Sequence, residues 1–195
     1  MCTRVAYMDR NRAFTGRNFD WVDWSDAGVW VYPAGLQRNG AAGDYSCEWV
    51  SQYKSVTASS YDGATADGLN EMGLSVNLLW LAVSTYPKLG ADKNRKALSI
   101  SCWAQYILDL CTDVPDAIEK MKSVYVVSTV VPGRGNAVEC HLSVSDPSGN
   151  SAIFEYVNGE LMVYTNVDGK YTREQVRIMT NEPAFPKQLQ LNAYW

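Results

Sequence analysis

The chain has 195 residues, with 17 Lys+Arg against 21 Asp+Glu (a formal net charge of −4), a single His and five Cys. A hydrophobic content of 47% excludes a disordered chain, and an acidic balance without a Lys/Arg cluster excludes nucleic acid as the main partner, because phosphate contacts need basic surface. No apolar run approaches the roughly 20 residues that cross a bilayer, so no membrane span is expected.

Short strands come first. Residues 3–7 and 13–20 flank the polar turn Asp9-Arg10-Asn11-Arg12 and predict a hairpin at the N-terminus. Strands follow at 29–32, 46–50 and 55–59, with Asn39-Gly40 and Asp62-Gly63 as turn chemistry. The segment Asp67-Gly68-Leu69-Asn70-Glu71-Met72-Gly73-Leu74 reads as a strand end and a turn closed by Gly73, leading into a buried strand to Leu81. Residues 87–96 form a polar, basic loop. Leu98, Ile100, Trp103, Tyr106, Ile107 and Leu110 follow a helical period over 98–111, and Thr112 or Asp113 caps a second helix over 115–122. Strands at 124–131, 139–145, 151–156, 161–165 and 176–179 complete the chain, punctuated by Pro147-Ser148-Gly149-Asn150, Asn158-Gly159 and Asp168-Gly169. Strands, a helix pair, then strands is an α+β order, expected to form one domain over 1–195.

One histidine removes most metal and triad chemistry. No CxxC pair exists among Cys2, Cys47, Cys102, Cys111 and Cys140, so no metal or other cofactor is expected, and the odd, irregular spacing argues against a disulfide framework. His141 lies in the alternating stretch Glu139-Cys140-His141-Leu142-Ser143 and is read as a partly exposed strand residue. The reactive group advertised by position is Cys2. Removal of Met1 would leave it with a thiol and a free α-amine. An α-amine titrates at roughly 8 and a thiol at roughly 8.5, so the amine can take the thiol proton without a histidine.

Cys2-Thr3-Arg4, Gly16-Arg17-Asn18-Phe19-Asp20-Trp21, the Asp67 to Leu74 segment and Thr180-Asn181-Glu182-Pro183 occur in an order that resembles the choloylglycine hydrolase family of N-terminal-nucleophile amidases. The resemblance covers essentially the whole chain. Leu78-Leu79-Trp80-Leu81-Ala82, Trp103-Ala104-Gln105-Tyr106 and Leu191-Asn192-Ala193-Tyr194-Trp195 look most like its Gram-negative penicillin V acylase-like branch. It implies an αββα sandwich, two stacked antiparallel sheets between helical layers, incomplete here at the C-terminal end because family chains continue past this point and supply a further active-site Arg. A second copy or a complementing C-terminal segment would then cover the exposed edges and faces.

The same resemblance implies the site. Cys2 matches the nucleophile, Asp20 the acid that holds its α-amine, Arg17 the cation beside the thiol, and Asn181 the donor to the developing oxyanion. Without the motif, Arg17 and Asp20 would read as a surface ion pair. Trp80 stands where many bile salt hydrolases carry a second, Asn donor; it offers an indole N–H, a backbone N–H or an apolar wall, or is simply a core Trp. Trp21, Trp24 and Tyr61 are read as walls of an aromatic acyl pocket. The expected activity is hydrolysis of a linear, non-peptide C–N amide in a small acyl amide such as penicillin V or an N-acyl homoserine lactone. The alternatives are conjugated bile salt hydrolysis and an inactive fragment that only binds acyl amides. Lacking a signal peptide, the chain as given is expected in the cytoplasm, or in the periplasm if its precursor carries one.

Overall fold

A computed structural model describes residues 1–21, 27–61, 63–130 and 137–194. Its centre is a seven-stranded sheet. The strands, in chain order, are β1 (Thr3–Asp9), β2 (Arg12–Asn18), β3 (Gly28–Tyr32), β4 (Gln37–Asn39), β5 (Glu48–Val50), β6 (Ser55–Ser60), β7 (Ala64–Asn70), β8 (Ser75–Trp80), β9 (Lys96–Ser99), β10 (Val124–Val127), β11 (Cys140–Ser145), β12 (Ser151–Val157), β13 (Glu160–Thr165) and β14 (Ile178–Thr180). The large sheet runs β13-β12-β11-β8-β7-β6-β3 with every neighbour antiparallel, and a second antiparallel sheet runs β14-β1-β2. Strands β4 and β5 form a small ribbon, and β9 and β10 pair in parallel.

Alternation assigns the two faces of the large sheet different work. Val76 of β8, Leu142 and Val144 of β11, and Phe154 and Tyr156 of β12 meet α1 (Ile100–Leu110) and α2 (Val114–Lys120) in one apolar core centred on Trp103. Each such buried side chain contributes roughly 1.5–3 kcal/mol. Ser99 caps α1, and the Asp113 side chain accepts from Asp116 N–H to cap α2. The opposite face turns toward β14-β1-β2. There Leu79 and Ile153 pack with Cys2, Met179, Val176 and Phe185. Beside them lies a polar layer of Arg4, His141, Ser143, Ser145, Ser151 and Glu155, all buried. Arg4 donates to Val176 O at 3.1 Å and to Ser151 Oγ at 2.9 Å, and also meets Ser145 Oγ. Burial pushes its guanidinium down to about 9, so it remains a cation at neutral pH.

Several elements differ from the sequence expectation. Leu98 belongs to β9, not to the helix, because residues 96–99 pair with β10. The strand expected at 176–179 divides into the short helix α3 (Arg173–Val176), closed by a Thr172/Gln175 capping box, and β14. A fourth helix, α4 (Phe185–Tyr194), stands where no element was expected. His141 is fully buried rather than partly exposed, because the second sheet covers the strand face that would otherwise meet solvent. The turn residue Asp62 lies outside the described residues.

Candidate active site

The site is built around the register of one hairpin. Thr3 pairs with Asn18 and Arg4 with Arg17, a register that carries Cys2 to the level of Phe19 and Met1 to that of Asp20. Asn18 clamps this end: its Oδ1 accepts from Thr3 N–H at 2.6 Å and its Nδ2 donates to Met1 O at 2.9 Å. The Cys2 side chain is buried, with Sγ 3.5 Å from Asp20 O and 3.5 Å from Arg17 Nη2. The Asp20 carboxylate holds the N-terminal ammonium of Met1. Arg17 therefore does not pair with Asp20. Its side chain is only 6% exposed and its ion-pair partner is Asp67, whose other oxygen accepts from Asn77 Nδ2 at 2.7 Å. Nη2 also donates to Leu78 O at 3.3 Å, and the guanidinium lies 4.3 Å from the Phe19 ring centroid. One cation is thus fixed from three directions with an edge left on the thiol.

Asn181 follows β14, the strand beside β1, and its backbone N–H donates to Cys2 O at 3.2 Å. Its side chain is buried. Among the described residues Oδ1 has no hydrogen-bond partner and Nδ2 donates to none. Beyond Cys2 and Arg17 opens a cleft walled by Phe19, Trp21, Tyr61, Leu78, Trp80 and Val138, with Ser60, Thr65 and Ser101 as its polar points. Trp21 Nε1–H donates to Tyr61 Oη at 2.6 Å, and the Trp21 and Trp80 rings meet edge to face at 6.4 Å. Of the readings open for Trp80, the geometry gives an apolar wall of this cleft. Trp24 lies outside the described residues.

The structure thus brings Cys2, Arg17, Asp20 and Asn181 together and lines the adjoining cleft with Trp21, Tyr61 and Trp80. It also adds residues to which sequence reasoning gave no role: Asn18, Asp67 and Asn77. Asn18 and Asp67 sit inside two of the motifs, which is the signal that could have found them. Asn77 becomes visible only through the β7–β8 register, where it faces Asp67. Among the described residues no three His, Cys, Asp or Glu side chains converge to hold a metal ion. Chemically the arrangement offers a thiol beside a fixed cation, an acid that binds an N-terminal amine, and an unoccupied amide donor, all at the end of an apolar cleft.

Comparisons with known proteins bear on the family and the fold. The family model for linear amide C–N hydrolases, choloylglycine hydrolase family, matches residues 2–195. A penicillin V acylase of Pectobacterium atrosepticum is 41% identical over 204 residues, spanning 100% of this chain and 52% of that protein. The structure of a penicillin V acylase from Agrobacterium tumefaciens superposes with a TM-score of 0.84 at 40% identity, over 100% of this chain and 56% of that one. A mutant conjugated bile acid hydrolase from Clostridium perfringens superposes with a TM-score of 0.81 at 20% identity, over 100% and 57%, a likeness of fold. The chain spans about half the length of the relatives it matches.

Proposed function

The chain belongs to the choloylglycine hydrolase family of linear amide C–N hydrolases, and from that membership we propose that it is a cysteine N-terminal-nucleophile amidase acting through Cys2. The observation that carries this reading is the setting of the Cys2 sulfur, 3.5 Å from the Arg17 guanidinium, with Asp20 on the N-terminal ammonium. Removal of Met1 puts the α-amine on Cys2 itself, within reach of Asp20. The amine takes the thiol proton, and sulfur adds to the amide carbonyl. Asn181 Nδ2 donates to the oxygen that becomes negative. Collapse breaks the C–N bond, the α-ammonium gives its proton to the leaving amine, and a thioester remains. Water then adds with the α-amine as base, releasing the acid and the thiol.

The cleft walls of Phe19, Trp21, Tyr61, Leu78 and Trp80 suit an apolar acyl group, with phenoxyacetyl (as in penicillin V) and the acyl chain of an N-acyl homoserine lactone as the substrate types. The experiment offers penicillin V, an N-acyl homoserine lactone and glycocholate side by side and measures the released amines, with intact mass recorded for the same preparation. Expected are loss of Met1, release from the first two substrates, and a drop of roughly 1000-fold or more in Cys2→Ala. Retention of Met1, or binding without release, would sink the reading. Release of glycine alone would move it to bile salt hydrolysis.

The reading extends to a covering partner. Val29 and Val31 of the outer strand β3 are 76% and 74% exposed, and Val29 joins Val56, Leu69 and Phe14 along an open trough of about 670 Å³ beside β2, a strand that among the described residues pairs with β1 alone. A complementing segment with apolar alternation fits this edge and face. Sizing of the same preparation separates this occupant from a second copy, which would appear as a stable dimer.

A further inference from the structure

A buried acid and the chain's one histidine lie close behind the proposed site without taking part in its chemistry. Glu155 on β12 and His141 on β11 are both fully buried on the face turned to the second sheet, with His141 Nδ1 3.0 Å from Glu155 Oε1. The same carboxylate accepts the backbone N–H of Phe185 at 3.0 and 3.2 Å. Phe185 is the first residue of α4, so Glu155 occupies the position at a helix N-terminus where an anion satisfies an orphan donor and meets the positive end of the dipole. Four residues before Phe185 stands Asn181.

The segment between is short and tied at both ends. At its start, β14 pairs with β1 and Asn181 N–H reaches Cys2 O. Along its length, Ala82 N–H donates to Glu182 Oε1 at 3.0 Å, and Gln188 Nε2 donates to Thr180 O at 3.2 Å and Pro183 O at 2.6 Å. At its end, the contact that fixes α4 to the large sheet through a charged group is Glu155. The Asn181 side chain makes no hydrogen bond to a described residue that would set its own direction. Its aim is inherited from the backbone that carries it. His141 in turn has Nε2 buried without a partner among the described residues, and Glu155 is the group that its ring addresses.

We propose that Glu155, oriented by His141, is a positioning residue that sets the Asn181 amide by holding the N-terminus of α4. This rests on the reading of Asn181 as the oxyanion donor. Glu155→Gln keeps the size but turns one acceptor oxygen into an N–H donor. Because both carboxylate oxygens lie within 3.2 Å of Phe185 N, that donor faces Phe185 N–H in either orientation of the amide, and the N-terminus of α4 shifts.

Two readouts on the full chain test it. Kinetically, Glu155→Gln should lower kcat about 10- to 100-fold with KM within about twofold, because a displaced oxyanion donor is missed in the transition state and not in the ground state. His141→Gln, which keeps a side-chain donor for Glu155, should stay within about threefold of the parent, and a loss as large as that of Glu155→Gln would overturn the proposal. Spectroscopically, with ¹⁵N-labelled Asn and His, the Asn181 side-chain amide signal, assigned by its loss in Asn181→Ala, should move or broaden in Glu155→Gln together with a change in the His141 ring signals. An Asn181 amide that stays in place overturns the proposal, and so does one that moves while kcat does not. If the parent chain hydrolyses no amide, the proposed function fails by itself and the amide signal alone decides this inference. Should Glu155→Gln not fold, Glu155→Asp, whose shorter side chain draws the carboxylate back from Phe185 N–H, is read by the same signals.

Discussion

Arg17 does two things with one guanidinium. Through Nη1 it neutralises Asp67 in a largely buried pair, and through Nη2 it places positive charge 3.5 Å from the Cys2 sulfur. The two can be separated. Arg17→Met leaves Asp67 without its ion-pair partner, which should cost about 3 kcal/mol in urea unfolding, and should slow alkylation of Cys2 by iodoacetamide about tenfold because the guanidinium beside the reacting sulfur is gone. Adding Asp67→Leu removes the stranded charge. The double variant should regain most of the lost stability, since replacing a buried pair by apolar side chains is often close to neutral, yet alkylate as slowly as Arg17→Met. Recovery of the alkylation rate in the double variant would mean that Arg17 acts on Cys2 only through the fold.

At the scale of elements, Asn70 joins sheet to helix. Its Nδ2 donates to Leu108 O at 3.0 Å and Cys111 O at 2.8 Å at the end of α1, while its Oδ1 accepts from Met72 and Leu74 N–H in the turn between β7 and β8. Asn70→Ala strands these groups in a buried place and should cost about 3 kcal/mol, read as a lower urea midpoint at unchanged slope. An unchanged midpoint would show that water reaches the carbonyls. Asn70 lies in a motif readable from sequence, as do the turn closed by Gly73, whose φ of +83° suits glycine, and the cap at Asp113. Such signals are local, and so the N-terminal hairpin, the strands around Asn158-Gly159 and the two mid-chain helices were legible. What escaped is non-local. Four-residue β9 exists through its parallel pairing with β10, and α4 buries little besides Phe185 and Gln188 and docks through Glu155, 30 residues away. The same holds within the site. Cys2, Arg17 and Asp20 belong to one hairpin and could be grouped by motif, whereas the pairing of Arg17 with Asp67 spans 50 residues and needs the packing of two sheets.

The large sheet divides the molecule into an apolar half under α1 and α2 and a half of mixed apolar and polar side chains under β14-β1-β2, and tyrosines are buried in both. Tyr156 packs at a tilt against Tyr86 and meets Trp103 on the helical side, where Tyr106 meets Trp49; Tyr164 packs on Phe185 on the other. Burial out of water penalises the phenolate, which pushes Tyr106, Tyr156 and Tyr164 each up to about 12 and Tyr86 well above its ordinary value. The sign follows from the unfolded chain, whose phenols ionise near 10 while the folded ones stay protonated. Below that pH these groups leave stability unchanged. Above it ionisation stabilises the unfolded state, and stability should fall by about 1 kcal/mol per tyrosine by about pH 11. The part of the phenolate absorbance that these four buried rings contribute should therefore rise in step with loss of far-ultraviolet circular dichroism, in one cooperative alkaline transition, after that of exposed tyrosines such as Tyr7, Tyr45 and Tyr194. Tyr156→Phe keeps the ring packing but removes one ionising group, together with the acceptor for Val126 N–H at 2.9 Å, so it should lower stability at neutral pH and yet flatten its decline above pH 10. Phenolate absorbance that climbs to completion while the dichroism stays native would mean that these rings reach solvent without unfolding, and the tight core drawn around Trp103 would be wrong.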